Sequence, residues 1–136
     1  MATIRREMTL RANPANVWDA IRDVGAIHTR LAPGFVTDVK LEDGARIVTF
    51  ANGQVAKELI VTIDDAACRL VWSVVETQLT HHNGSIQVFA EGSRSHVVWI
   101  ADILPNALAD HIGGMMQYGM EAMRRKLEAD ASAPAA

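Results

Sequence analysis

The sequence predicts an α+β fold: an antiparallel sheet of about seven strands, two short helices near the start, and a long C-terminal helix laid across the sheet. Three observations predict it. Segments of alternating apolar and polar residues are separated by the tight-turn pairs Asp43-Gly44, Asn52-Gly53 and Gly92-Ser93, which join neighbouring strands as antiparallel pairs. The stretch after Asn106 carries a single apolar arc at helical spacing. The 136 residues are 49% apolar, enough for one core, so the helix must bury its arc on the sheet in a two-layer arrangement.

Each element has its own signal. Thr3 to Ala12 alternates, with Ile4, Met8 and Leu10 on one parity, as a half-buried strand does. Arg6 falls on that apolar parity and is an anomaly. Asn13 caps a first helix and Pro14 suits its first position. Val17, Trp18 and Ile21 form its buried face, and Gly25 ends it. Ala26 to Leu31 makes a second short helix, stopped by Pro33-Gly34. Strands follow over Phe35 to Glu42, Ala45 to Ala51, Val55 to Ile63 and Arg69 to Val75. Asn83-Gly84 can be read as a hairpin turn or as a bulge in one long strand starting near Leu79. Strand length favours the long strand. Ser95 to Leu104 is the last strand. Asn106 then caps a helix running to about Glu128, with Leu108, Ile112, Met115, Met116, Gly119 and Met123 in one arc. Residues 1–128 form a single domain, and 129–136 form a flexible C-terminal tail without large apolar side chains.

Composition excludes several function classes. A net charge of −3 gives no basic footprint for nucleic acid. The longest apolar run, Val97 to Ala101, is far short of a membrane span. Ile4 is followed at once by Arg5, Arg6 and Glu7, which fits no secretory signal. A cytoplasmic location is the expectation. The single Cys68 permits neither a disulfide framework nor a multi-cysteine zinc site. His81 and His82, adjacent on a strand, point to opposite faces and cannot share a metal. No metal and no cofactor is expected.

The element order resembles the helix-grip fold of the START-like (SRPBCC) and birch-pollen-allergen superfamily. Within it the chain is similar to the polyketide cyclase/dehydrase and lipid-transport branch. The features that carry the resemblance are the helix Val17-Trp18-Asp19-Ala20-Ile21 after the first strand, the strand and turn from Leu59 to Asp65, the strand Val97-Val98-Trp99, and the long final helix. The resemblance implies a cavity between a curved sheet and the last helix. It also implies a ligand that is a small apolar or aromatic molecule, or a substrate of the cyclase or dehydratase kind.

Setting Gly92-Ser93 as a two-residue turn places Val88 opposite Val97, Ile86 opposite Trp99 and Gly84 opposite Ala101. The parity of Ile86, Val88, Val97 and Trp99 is apolar and is assigned to the cavity, and His82 shares it. His82 is either a satisfied polar residue at a pocket mouth or a proton donor and acceptor to a ligand. Glu58 has conflicting signals. Periodicity sends it outward, because Lys57 shares a face with Leu59, Val61 and Ile63. A resemblance to the plant abscisic acid receptors, in which a cavity-facing glutamate precedes the equivalent of Asp64-Asp65 at the same interval, sends it inward. The receptors' gate-loop motifs are absent from this chain. Outward, Glu58 is a solvated charge paired near Lys57 or Arg69. Inward, it is a carboxylate in an apolar pocket, able to act as acid or base. The same resemblance turns Trp72 and Val74 inward.

The candidate ligand-binding residues are Trp72, Val74, Ile86, Trp99, Ile112, Met115, Met116 and Gly119, with Glu58 and His82 as the candidate catalytic pair. Trp72 is expected between those two. Gly119, inside the apolar arc, reflects either close packing or space for a ligand, with space preferred. Gly113 and Gly114 fall on the polar side of the helix. Phe89, Val98 and Ile100 point away from the helix, and this apolar surface suggests a homodimer.

Overall fold

The computed structural model describes residues 1–132 of the chain. Seven strands form one antiparallel sheet: β1 (Ala2–Leu10), β2 (Val36–Glu42), β3 (Ala45–Phe50), β4 (Val55–Asp64), β5 (Arg69–Val75), β6 (His81–Glu91) and β7 (Arg94–Leu104). Their order across the sheet is β1-β7-β6-β5-β4-β3-β2. Helix α1 (Pro14–Arg22) and a π-helical turn (Ile27–Leu31) connect β1 to β2 at the far edge, and α2 (Ala109–Ser132) lies across the concave face. The helix-grip architecture is therefore present, with every strand but β1 joined to the next by a hairpin.

Local chemistry explains the corners. The Asn13 side chain accepts from the Ala15 N–H at 2.8 Å, capping α1. Trp18 on α1 donates its indole N–H to Asp65 at 2.9 Å, and Arg22 donates to the same carboxylate at 2.8 Å. These bonds, Arg22 foremost, hold Asp65 below the usual carboxylate range. Trp18 thus ties α1 to the β4–β5 turn. Asn106 does not cap α2: it opens a 3-10 turn over Asn106–Leu108, with no side-chain capping bond, and the α-helix follows. The helix also continues to Ser132, four residues past its expected end. Residues 133–136 of the expected tail lie outside the described residues. No helix among the described residues is long and apolar enough to cross a membrane.

The register of the β6–β7 hairpin matches the turn-based expectation at Val88↔Val97, Ile86↔Trp99 and Gly84↔Ala101. Asn83 and Gly84 are paired without a shift to both neighbouring strands, so they are neither turn nor bulge. Two other details differ from expectation. The β3–β4 connection is a three-residue loop in which Phe50 N–H donates to Gln54 O, with Gly53 at φ +87, a conformation glycine adopts without strain. A bulge interrupts the β4–β5 ladder between Ile60 and Thr62. Along β4, Leu59, Val61 and Ile63 are exposed. Leu59 faces away from the core with its partner Ser73, whereas beyond the bulge Ile63 pairs with buried Leu70 on the core side. On the outer face Phe89 is 44% exposed, but Val98 is buried, so the expected three-residue patch is interrupted.

Candidate functional site

A cavity lies between the concave face and α2. Its inner chamber, about 110 Å³, is walled by residues including Trp72, Ile86, Trp99, Met116 and Gly119. An adjoining outer chamber, about 270 Å³, opens between the β3–β4 loop, the β5–β6 connection and the start of α2, where Val74, Leu79 and His111 line it. Five residues border both: Phe50, Glu58, His82, Ile112 and Met115. They form the neck. All ten candidate site residues therefore line one chamber or both.

Four aromatic rings shape the walls. Trp72 and Trp99 are tilted against each other with centroids 6.2 Å apart. Phe35 and Phe50 meet edge to face at 5.3 Å. Trp72 lies over Gly84, its partner on β6. A Cβ at position 84 would overlap the indole ring, with Nε1 only 2.8 Å away.

The polar groups lie along one row of the sheet. Arg46 on β3 pairs with Glu58 on β4, and Glu58 with Val74 on β5. Extending the β5–β6 register by one residue beyond Ser73↔Asn83 places His82 next to Val74. Val74, rather than the expected Trp72, thus stands between Glu58 and His82. Two strand spacings put the Glu58 and His82 backbones roughly 10 Å apart.

Glu58 points inward and is only 7% exposed. It is not a lone carboxylate. Arg46, 4% exposed, donates Nε to it at 2.8 Å, and reaches the Val24 carbonyl with Nη1 at 3.3 Å. The guanidinium also sits 5.5 Å from the Trp72 ring centroid, within cation–π range. The outward reading of Glu58, with partners near Lys57 or Arg69, is corrected: Lys57 pairs instead with Glu42 at 3.5 Å. Sequence reasoning missed Arg46. The available signal was the length of the Asn52-Gly53 loop, since three loop residues instead of two set Arg46 opposite Glu58.

His82 is the other polar group. Its Nδ1 is buried without a hydrogen-bond partner among the described residues. Burial, with His81 nearby, pushes its pKa down to about 4. The ring is neutral at pH 7. This has a consequence for stability. In the unfolded chain a histidine takes up its proton near pH ~6.5; in the fold it does so near 4. Between those values the unfolded state binds more protons, so stability falls as pH is lowered through that window. The loss is at most about 3 kcal/mol. Urea unfolding at pH 4.5 and 7 should show this loss, and His82→Leu should remove most of it. An unchanged difference in the variant would show that the imidazole is not desolvated in the fold.

Gly119 and Gly113 of α2 differ from expectation, while Gly114 is exposed as expected. Gly119 leaves no ligand space: a Cβ there would come within 2.8 Å of Trp99 and 3.0 Å of Phe35. It serves close packing of helix on aromatic wall. Gly113 is buried, not on a polar face, and a Cβ there would meet Arg6 Nη2 at 2.7 Å. His111 is exposed at the rim. Among the described residues no group of three or more His, Cys, Asp or Glu is placed to hold a metal ion.

Comparison with known proteins agrees with this architecture. A family model described as polyketide cyclase / dehydrase and lipid transport matches residues 1–131. No curated protein matches. Among solved structures, one from Thermobifida fusca is similar at 26% identity, covering 95% of this chain and 91% of that one, with a TM-score of 0.75. A major latex-like protein from Panax ginseng is similar at 17% identity, over 97% and 98%, with a TM-score of 0.80. The Zhui aromatase/cyclase from a Streptomyces species is similar at 15% identity, over 96% and 93%, with a TM-score of 0.70.

Proposed function

We propose, for a chain that belongs to the polyketide cyclase/dehydrase and lipid-transport family, that it binds a small, mostly apolar molecule between the sheet and α2. One observation carries this reading: the inner chamber is lined by apolar side chains except along one edge, where Arg46, Glu58 and His82 meet the space, and the outer chamber adds Gln54, Thr77, Gln78 and His111 at its rim. That division suits a ligand with an apolar body and a polar anchor. An apolar cavity of about 150 Å³ accommodates a benzene ring. The inner chamber, at about 110 Å³, is somewhat smaller than that, and the adjoining outer chamber, at about 270 Å³, can take the remainder of a ring-bearing molecule.

The test uses naphthalene, a probe with no polar group. It should bind the protein and raise its unfolding temperature. Met115→Trp, which fills the neck from a half-buried helix position, should weaken binding by about tenfold or more while leaving the protein folded. Equal binding by this variant would place the probe elsewhere and remove the support for the reading.

A second reading, proton transfer in an aromatic or polyketide-like substrate, draws on His82. His82 lines both chambers, and its neutral imidazole can accept a proton. Glu58, engaged by Arg46 and separated from His82 by Val74, would act on another atom of the substrate rather than in a direct dyad.

A further inference from the structure

We infer that the ligand presents a hydroxyl group at the neck, between Glu58 and His82 and over Val74. The inference rests on the ligand-binding reading above and adds the chemistry of the anchor. Glu58 uses one oxygen on Arg46, and no other hydrogen bond to it is present among the described residues. A carboxylate in this pair accepts only, so its remaining oxygen needs a donor. The imidazole offers one N–H and one lone pair; it lines both chambers, and its Nδ1 has no partner among the described residues. An unmatched polar atom in such a place carries a desolvation penalty that a ligand can relieve.

Few groups satisfy both sides. A hydroxyl donates its one proton to Glu58 and accepts from the imidazole N–H, in the tautomer that turns that N–H to the neck. A ketone or ether has no proton for Glu58. A carboxylate would set a second negative charge beside it, and the neck offers no spare cation. Arg46 is the lysine- or arginine-type residue lining either chamber. It is committed to Glu58, the Val24 carbonyl and the Trp72 face. The downward shift of the imidazole keeps it uncharged at pH 7 and supports the same conclusion. The other titratable group at the chambers, His111, is exposed at the outer rim.

The test compares 2-naphthol with naphthalene, 2-methoxynaphthalene and 2-naphthoate by titration calorimetry at pH 7. The naphthol should bind at least about tenfold tighter than naphthalene and the ether, the scale of one hydrogen bond to a charged group. The naphthoate should bind most weakly. His82→Leu keeps the Arg46–Glu58 pair and should shrink the preference for naphthol over naphthalene. If naphthalene binds and the naphthol gains nothing, the hydroxyl inference falls while the cavity reading stands. Tightest binding of the naphthoate would overturn it in favour of an anion site. If none of the four binds, both readings fall.

Discussion

Replacing Arg46 with leucine is expected to lower the unfolding free energy by about 3–5 kcal/mol, the scale of stranding one half of a buried ion pair. The variant leaves Glu58, 7% exposed, facing an apolar chamber without its 2.8 Å partner. It also removes the cation over Trp72 and the bond to the Val24 carbonyl. Adding Glu58→Leu to the same chain should restore most of the loss, because two apolar side chains of similar size can replace a buried pair with little penalty. Urea denaturation of the wild type, the two single variants and the double variant closes the cycle. If Arg46→Leu is as stable as wild type, the pair is solvated and Glu58 is not part of a dry neck. If the double variant is no better than Arg46→Leu, the guanidinium acts through Trp72 and Val24, not through charge pairing.

The same pair shows where sequence reading stops. The β6–β7 hairpin was legible because a two-residue turn sets register, and register sets the face of every residue along the ladder. His82, Ile86 and Trp99 followed from that one turn. Glu58 was not legible from its own strand. Along β4 the outward residues Leu59 and Val61 are the more apolar ones, so alternation points the wrong way there. The bulge between Ile60 and Thr62 shifts the parity again. The abscisic acid receptor resemblance oriented Glu58 inward, as the structure does, but could not supply its partner. Arg46 required counting three residues, not two, in the Asn52-Gly53 loop.

The glycines of α2 were located by pattern but not explained by it. A glycine in an apolar helical arc signals a missing side chain, and sequence alone does not say what occupies the gap. At position 119 the occupant is Trp99. At position 113 it is Arg6, the residue that looked misplaced on the apolar parity of β1. Arg6 pairs across the ladder with Trp99, and its guanidinium passes under the helix where no Cβ obstructs it. Its Nη1 donates to the Arg5 carbonyl at 3.0 Å. Two separate oddities of the sequence, Arg6 and Gly113, are thus one packing arrangement. Tertiary contact, which no local pattern encodes, made them look unrelated.

Gly84 provides the second large effect. Gly84→Ala should destabilise the protein by about 1–3 kcal/mol through overpacking and should abolish uptake of naphthalene. A Cβ at this position overlaps the Trp72 indole, with Nε1 at 2.8 Å. The position is mid-strand and paired to both neighbours, so the backbone has little freedom to retreat. The ring cannot move toward Trp99 without closing the 6.2 Å spacing between them, nor toward Arg46 without disturbing the buried pair. It must swing into the inner chamber, which is only about 110 Å³. Adding Trp72→Leu removes the ring that meets the new methyl group. In that background Gly84→Ala should cost little further stability, and the chamber should stay open. Thermal unfolding and naphthalene titration of all four proteins separate the two effects. A Gly84→Ala protein that keeps wild-type stability and binding would mean that the indole has another resting place, and that Trp72 does not form a fixed wall of the cavity.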